Sequence, residues 1–415
     1  MGYFDIDENG TLKKYIPDKG ENEAIIPDGV MRIGNDAFRD CITLERILIP
    51  ESVTEIGGSA FENCIHLTDI KIPESVTLIK RGAFSNCNSL TSIVLSAGVS
   101  VIESCVFDNC NSLTSISLSE NVTEIRENAF EKCLSLTNIV IPKNVVKIGD
   151  GAFSDCISLE DVKIPENVLE IGWCAFQNCR RLKSIEIPES VCEIGGSAFE
   201  GCSELENIMI PKSVPSIGRD AFLGTQFDKN MTDEFNITNG ILLSYKGTES
   251  EITIPESVKK IGGTAFDGCG FITKVNIPEG ITEIGNAAFS GCINLKSIVF
   301  PKSLTKIGTN AFMKCISLIS IEIPYGVEEI GCAAFRYCQN LISVVIPGSV
   351  TEIESRTFCD CVNLKSVTIQ EGTTKICNNA FINCQSLSRI VLPAHNINIG
   401  DRAFERFNAL TVERV

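Results

Sequence analysis

The stretch IPESVTEIGGSAFENC, residues 49–64, recurs along the chain with small changes. Its phenylalanine, Phe61, belongs to the first of two series in which successive phenylalanines are 23 residues apart. So regular a repeat is typical of a solenoid, in which each repeat is one coil and stacked coils share a core. The sequence therefore predicts sixteen coils, marked by Phe38, Phe61, Phe84, Phe107, Phe130, Phe153, Phe176, Phe199 and Phe222, then by Phe266, Phe289, Phe312, Phe335, Phe358, Phe381 and Phe404.

The positions within a coil predict its local structure. In LTDIKIP, residues 67–73, Ile70 and Ile72 alternate with polar residues, which is typical of a strand with one buried face. Pro73 then ends the strand, because proline has no N–H to give to a sheet. A second short apolar segment, V-x-x-I-G, predicts the opposite wall of the coil, and Ala-Phe predicts a short helical turn.

A residue that tolerates left-handed backbone stands two places after the phenylalanine. Aspartate, asparagine or glycine occupies this position in twelve of the sixteen coils. These residue types favour positive φ, so the position is predicted to cap the turn. The four exceptions are Lys132, Lys314, Tyr337 and Arg406.

The coil L-x-x-I-x-I-P-x-x-V-x-x-I-G-x-x-A-F-x-x-C resembles the BspA-type (Treponema pallidum-type) leucine-rich repeat, over about residues 22–225 and 250–410. The resemblance implies a leucine-rich repeat solenoid: a right-handed superhelix of about sixteen coils. It also implies a parallel β-sheet on the concave face, with short strands and helical turns on the other sides. A protein of this kind is expected at the cell surface or secreted, in an adhesive role.

Two segments break the repeat and resemble each other. FDIDENGTLKKY, residues 4–15, and FNITNGILLSY, residues 235–245, both place Asn-Gly between alternating apolar residues, which is a strong hairpin signal. Residues 1–21 are therefore predicted to be an N-terminal hairpin cap and residues 226–249 an inserted hairpin whose tip lies outside the solenoid wall. Residues 22–225 then hold coils one to nine, and residues 250–415 hold coils ten to sixteen of the same solenoid.

Fourteen of the twenty cysteines occupy one position of the coil, as Cys64 and Cys87 do. Free cysteine behaves as a small buried hydrophobe, so a column of this kind predicts a core layer of thiols rather than disulfides. Cys359 and Cys361 form a C-x-C without a nearby histidine, which is a weak metal signal. No metal and no cofactor are predicted.

Composition and histidine placement exclude several classes of function. The net charge of −17 disfavours nucleic acid and anionic membrane surfaces, and no apolar run approaches the roughly 20 residues that a membrane helix needs. The start MGYFDIDENG lacks the pattern of a signal peptide, although a removed one would leave no trace. The two histidines, His66 and His395, lie in distant coils, so no Ser-His-Asp or Cys-His site is predicted and catalytic residues are expected to be absent.

The leading functional prediction is a non-enzymatic adhesion or recognition solenoid, expected to be monomeric and to bind a host or cell-surface protein or a glycan. One alternative is a carbohydrate-active enzyme with paired carboxylates on the concave face. Another is a structural spacer in a larger surface protein. The candidate partner-binding residues are Phe227, Phe235 and Tyr245 at the interruption, and Val299, Val345 and Val391 on the concave face.

Overall fold

The computed structural model describes residues 2–211, 214, 216–218, 220–231, 233–405 and 411–414. The chain forms two compact units, Met1–Met231 and Thr232–Val415. Each unit is a stack of coils with two walls of parallel strands. We call these the I-x-I wall, built from the L-x-x-I-x-I segments, and the I-G wall, built from the V-x-x-I-G segments.

The first unit begins with a hairpin, β1 and β2, and then alternates between the walls. Odd-numbered strands from β3 to β19 belong to the I-x-I wall and even-numbered strands from β4 to β20 to the I-G wall. The bounds are β1 (Tyr3–Ile6), β2 (Thr11–Ile16), β3 (Glu23–Ile25), β4 (Arg32–Ile33), β5 (Arg46–Leu48), β6 (Glu55–Ile56), β7 (Asp69–Ile70), β8 (Leu78–Ile79), β9 (Ser92–Val94), β10 (Val101–Ile102), β11 (Ser115–Ser117), β12 (Glu124–Ile125), β13 (Asn138–Ile139), β14 (Lys147–Ile148), β15 (Asp161–Val162), β16 (Glu170–Ile171), β17 (Ser184–Glu186), β18 (Glu193–Ile194), β19 (Asn207–Met209), β20 (Ser216–Ile217) and a closing helix α1 (Gln226–Asn230).

The second unit repeats this plan, beginning with the hairpin β21 and β22. The I-x-I wall holds β23, β25, β27, β30, β32, β34 and β36, and the I-G wall holds the rest. The bounds are β21 (Phe235–Thr238), β22 (Ile241–Tyr245), β23 (Glu251–Thr253), β24 (Lys260–Ile261), β25 (Lys274–Asn276), β26 (Glu283–Ile284), β27 (Ser297–Val299), β28 (Lys306–Ile307), β29 (Glu329–Ile330), β30 (Ser343–Ile346), β31 (Glu352–Ile353), β32 (Ser366–Ile369), β33 (Lys375–Ile376), β34 (Arg389–Leu392), β35 (Asn398–Ile399) and β36 (Thr411–Arg414).

The register of both walls advances by one repeat per coil. In the I-G wall Ile33 lies opposite Ile56, and Ile56 lies opposite Ile79. The same isoleucine therefore faces the core from Ile33 to Ile376, as the period of two along a strand requires, whereas Ile399 of the last coil is 43% exposed. The 23-residue repeat of the sequence is confirmed as the repeat of the strands.

A column of phenylalanine rings runs through each core. From Phe38 to Phe222 and from Phe266 to Phe404, successive ring centroids are 4.8–5.7 Å apart and the planes meet at 2–16°. Neighbouring coils lie about one strand spacing apart, so identical rings at identical positions stack with a small offset. This column is the aromatic core of each unit.

The Ala-Phe segment consists of successive hydrogen-bonded turns, and α1 is the one α-helix in the described part of the chain. In the second coil, the N–H groups of Glu62 and Cys64 donate to the carbonyls three residues earlier, at 3.1 Å each. Other N–H groups of the same segment point to the next coil and form a third ladder along the stack. The donor and acceptor pairs of one coil are Ser59 with Arg81, Phe61 with Ala83, and Asn63 with Ser85.

The predicted left-handed position is confirmed wherever the structure describes it. All fifteen described residues of this column have φ between 59° and 73°, apart from Gly224 at 77° and Lys132 at 57°. Lys314 and Tyr337 adopt this backbone too, while Arg406 lies outside the described residues. A second left-handed column, two residues before each phenylalanine, was not predicted from the sequence.

Asparagine side chains link neighbouring coils within the predicted column. The amide of Asn63 donates to Asp40 at 2.7 Å, Asn86 donates to Asn63 at 2.9 Å, and Asn109 donates to Asn86 at 2.6 Å. Asparagine is thus favoured twice here, since it tolerates positive φ and also hydrogen-bonds to the coil before it. The ladder stops at Lys132, which has no such amide.

The cysteine column is confirmed as a layer of free thiols, and all twenty cysteines are unpaired. In twelve coils the thiol donates to the carbonyl of the phenylalanine in the preceding coil, at 3.0–3.3 Å. Cys41 and Cys269 stand in the first coil of their units, where no earlier phenylalanine of the column exists. The column therefore needs a small apolar residue that is also a weak donor, and cysteine is both.

Both predicted hairpins are present, and each begins an I-G wall. β2 pairs with β4, which places Leu12 opposite Ile33, and β22 pairs with β24, which places Leu242 opposite Ile261. The inserted hairpin turns at Asn239 and Gly240, with φ of 52° and 77°.

The predicted projection of that tip is wrong, because the Gly240 carbonyl accepts the N–H groups of Lys259 at 2.7 Å and Lys260 at 3.1 Å. Of the predicted insert 226–249, Gln226–Asn230 form α1 at the end of the first unit, and the hairpin of β21 and β22 is bonded into the second unit as its first member. That residues 250–415 continue the same solenoid as residues 22–225 stays a prediction.

Candidate binding surfaces

The I-x-I wall carries a row of exposed apolar side chains on its outer face. In the first unit these are exposed by 48–78% and in the second unit Val299 is exposed by 70% and Val345 by 47%. Polar side chains such as Glu186 and Asn276 interrupt the row. The members in the first unit are Ile25, Leu48, Val94, Val140 and Met209.

Val391 does not belong to this exposed row, so the expectation that it presents a binding surface is wrong. Its side chain is only 8% exposed. The neighbouring strand β36 places Glu413 opposite Val391. Glu413 in turn is held by Arg389, whose guanidinium donates to its two carboxylate oxygens at 2.9 and 2.7 Å.

Phe227 lies in α1, at the end of the first unit. Its half-buried ring packs edge-on against Phe222, with centroids 5.7 Å apart and planes at 70°. Its N–H donates to the Leu205 carbonyl at 2.8 Å, and Thr225 caps the helix through its side chain. The ring therefore ends the phenylalanine column of the first unit.

Phe235 and Tyr245 lie together in the hairpin of the second unit, with ring centroids 5.0 Å apart. Tyr245 also packs 5.4 Å from Phe266, and it is 7% exposed. Its hydroxyl is 2.7 Å from a carboxylate oxygen of Glu234, and burial together with that hydrogen bond raises the pKa of Tyr245 to about 12. These rings cover the end of the core, and Tyr245 has little surface left to offer a partner.

A groove opens in the I-x-I wall of the second unit, between β27 and the segment that follows it in the next coil. We call it the Tyr325 groove; its volume is about 490 Å³. Tyr325 is 74% exposed at its edge, beside Val299 and Phe300. Lys302 and Glu322 supply one positive and one negative group, which makes the groove apolar with two charges at its edges.

Several ionisable side chains elsewhere are engaged with each other. Glu352, Glu354 and Cys377 form the one group in the described residues whose ligand atoms are close enough for a metal, within 4.8 Å of one another. Glu352 already accepts the Cys377 thiol and the Lys375 ammonium, and these two hydrogen bonds lower the pKa of its carboxyl. A carboxyl held ionised in this way is unsuited to the general acid of a glycosidase.

The two cysteines of the C-x-C do not converge on a common point. The Cys361 thiol donates inward to the Phe335 carbonyl at 3.2 Å, and the Cys359 thiol donates to the Asp360 carboxylate at 3.0 Å. His395 lies between the Glu371 carboxylate and the Thr373 carbonyl, at 2.8 Å from each. Two acceptors favour the imidazolium, and they raise the pKa of His395. The contacts of Cys361 and His395 tie neighbouring coils together, whereas that of Cys359 is local.

The parallel walls, the repeat of 23 residues and the stacked core define a leucine-rich repeat protein. The family model described as BspA type leucine rich repeat region (6 copies) matches residues 21–137, 123–241, 243–361 and 305–413. The chain belongs to this family, whose members are generally non-enzymatic repeat scaffolds. Within the described residues no helix has the length and apolarity needed to span a membrane.

Several solved structures are similar to the chain. A leucine-rich repeat protein from Bacteroides ovatus is 27% identical, with 100% of this chain and 98% of that one covered and a TM-score of 0.46. A leucine rich cell surface protein from Faecalibacterium prausnitzii is 24% identical, with 100% and 94% covered and a TM-score of 0.33. The T. pallidum leucine rich repeat protein is 26% identical, with 55% and 86% covered and a TM-score of 0.31. No curated protein matches the chain.

The Tyr325 groove was missed in the sequence, although a signal was present. Phe300 stands where the other coils have isoleucine or leucine, and Tyr325 stands where they have charged or small residues. Each is the one aromatic residue in its column. Two such departures in consecutive coils could have indicated a local site, but only the structure places them beside one groove.

Proposed function

We propose that this chain is a non-enzymatic recognition scaffold that binds a host or cell-surface protein or a glycan through its I-x-I wall. The observation that carries the proposal is the row of exposed apolar side chains on that wall, including Val140 at 78% and Val299 at 70% exposure. A solenoid wall of this kind offers a long and even surface for a macromolecular partner. A location at the cell surface, where such a partner would be met, is part of the proposal and accords with membership of the BspA-type family.

The net charge of the chain narrows the chemical class of the partner further. A net charge of −17 repels nucleic acid and favours neutral or basic partners. Each exposed valine of the wall offers only a small area for burial, so affinity is expected to come from many weak contacts along several coils rather than from one deep pocket.

The test is binding of the purified full chain to a panel of purified extracellular-matrix proteins, cell-surface ectodomains and glycans. Val299→Lys and Val345→Lys together should weaken binding to a true partner at least tenfold, because they place charge in the contact. The matched control is Ile293→Lys with Ile342→Lys, since both residues are 44% exposed in the same unit but lie outside the outward row of the wall.

Each outcome decides the proposal. Loss of binding in the wall variant with retention in the control supports it. Unchanged binding in the wall variant would place the contact elsewhere, and equal loss in both variants would mean that added charge alone weakens binding; either result contradicts the proposal. If no member of the panel binds the unmodified chain, the spacer alternative is favoured and the proposal fails.

A further inference from the structure

The Tyr325 groove arises where the regular wall is interrupted. Between β27 and β30 the intervening coil contributes a single bridge, Ser320 with Ser343, and residues 321–324 form no strand. Every other coil of the second unit from β23 onward contributes a strand to this wall. The groove is therefore a local departure from the repeat.

Phe300 gives a physical reason for the interruption. Its ring is 7% exposed and packs edge-on against Phe312, with centroids 5.6 Å apart and planes at 65°. A ring needs more room than the isoleucine or leucine found at this position in the other coils, and a larger side chain in a packed core moves its neighbours. The space that results lies between Phe300 and the turn at Tyr325.

The groove combines a flat aromatic edge with polar groups that have no partner. Among the described residues, no hydrogen bond or ion pair engages the Lys302 ammonium, the Glu322 carboxylate or the Tyr325 hydroxyl. The three groups offer a donor, an acceptor and a group that can do both. Val299 and Phe300 supply the apolar floor.

We propose that the Tyr325 groove binds a neutral saccharide of one or two pyranose rings. The apolar C–H face of such a ring stacks on an exposed aromatic side chain. Its hydroxyls can accept a hydrogen bond from Lys302 and donate one to Glu322. The volume of about 490 Å³ lies in the range of small-ligand sites. The opposite charges of the two residues cancel, and the acidic chain disfavours an anionic sugar. The inference rests on the proposed recognition function and names one ligand class for it.

The test is saturation-transfer difference NMR and titration of the full chain with maltose, cellobiose, lactose and N,N′-diacetylchitobiose. At least one is expected to bind in the millimolar range. Tyr325→Ala should weaken that sugar at least tenfold, Glu322→Gln should weaken it less, and Tyr325→Phe should keep most of the binding because the ring remains. Tyr325 is 74% exposed, so these variants should fold, and their melting temperatures verify it.

The matched control is Trp173→Ala, which removes another exposed aromatic side chain, 55% exposed, outside the groove. It should leave sugar binding unchanged. The proposal is overturned if none of the sugars binds, if Trp173→Ala abolishes binding and Tyr325→Ala does not, or if a basic peptide such as tetra-arginine competes for the groove while sugars do not. The two proposals can fail separately. If partner binding is lost with Val299→Lys and Val345→Lys but kept with Tyr325→Ala, the wall proposal is supported and the saccharide site is not.

Discussion

The two hairpins perform the same task at two places in the chain. The N-terminal one stacks Phe4 on Tyr15 and Tyr15 on Phe38, with centroids 4.8 and 5.0 Å apart. The internal one stacks Phe235 on Tyr245 and Tyr245 on Phe266, at 5.0 and 5.4 Å. The segment that interrupts the repeat is therefore a second starting cap, because an open stack of coils must cover its apolar end.

The caps differ in how they satisfy the tyrosine hydroxyl. Tyr245 is hydrogen-bonded to Glu234. Burial raises the pKa of Tyr15 and the nearby Glu21 raises it further, yet among the described residues the buried Tyr15 hydroxyl has no hydrogen-bond partner.

Deleting residues 226–246 restores a 23-residue step between Phe222 and Phe266, and it removes both the internal cap and α1, the closing helix of the first unit. Because Leu242 and Tyr245 cover the first coil of the second unit, we expect a loss of order 5 kcal/mol in the stability of that unit. Hydrogen exchange should show fast exchange in residues 250–405, while the early coils of the first unit, which do not contact α1, stay protected. Wild-type protection in both units would mean that the coils stack directly and that the hairpin is not a cap.

Tyr15→Ala and Tyr245→Ala test whether each cap serves its own unit. Each removes a buried ring, so each should destabilise its unit by about 3–5 kcal/mol. Hydrogen exchange after Tyr15→Ala should accelerate in the first unit, and after Tyr245→Ala in the second. Acceleration spread over both units by either change would contradict independent capping.

The first coil after a cap should also tolerate loss of its cysteine better than an interior coil. Cys292 is fully buried and its thiol donates to the Phe266 carbonyl at 3.2 Å, whereas Cys269 is half-buried and lacks a phenylalanine carbonyl before it. Cys292→Ala should cost about 1–2 kcal/mol and Cys269→Ala less than about 0.5. Urea unfolding measures both.

Thiol titration tests the layer as a whole. Burial raises the pKa of Cys315 to about 12 and acts in the same direction on most of its column, so few thiols should react in the folded protein. After denaturation without reductant, close to twenty should react. A count of only a few would indicate disulfides and contradict the free-thiol layer.

Removing only the tyrosine hydroxyl should change the free energy of unfolding by less, and by different amounts in the two caps. Tyr245→Phe loses a hydrogen bond to Glu234 and should cost about 1 kcal/mol. Tyr15→Phe loses a buried hydroxyl without a good partner and should be neutral or slightly stabilising. Equal costs in urea unfolding would show that Tyr15 and Glu21 form a full hydrogen bond in solution.

The sequence predicted the features that every coil shares, and it missed those that depend on one neighbour. The strand period, the thiol layer and the left-handed column follow from residue types that recur at one position. The second left-handed column was hidden because its residues vary, including Ala287 and Arg356. The burial of Val391 and the groove at Tyr325 depend on which segment packs alongside, and no repeat pattern contains that information.

The smallest expected effects concern the lysines in the left-handed column, at Lys132 in the first unit and Lys314 in the second. A non-glycine residue with positive φ carries strain of order 1 kcal/mol, and asparagine tolerates this backbone better than lysine. Lys314→Asn should therefore stabilise its unit by about 0.5 kcal/mol. Lys132→Asn should add more, up to about 1 kcal/mol, because the new amide can donate to Asn109 and extend the asparagine ladder. Lys132→Gly is the control that relieves the strain without adding an amide, and urea unfolding compares the three. If Lys132→Asn gains no more than Lys132→Gly, the ladder contributes nothing to stability and only the backbone conformation selects asparagine.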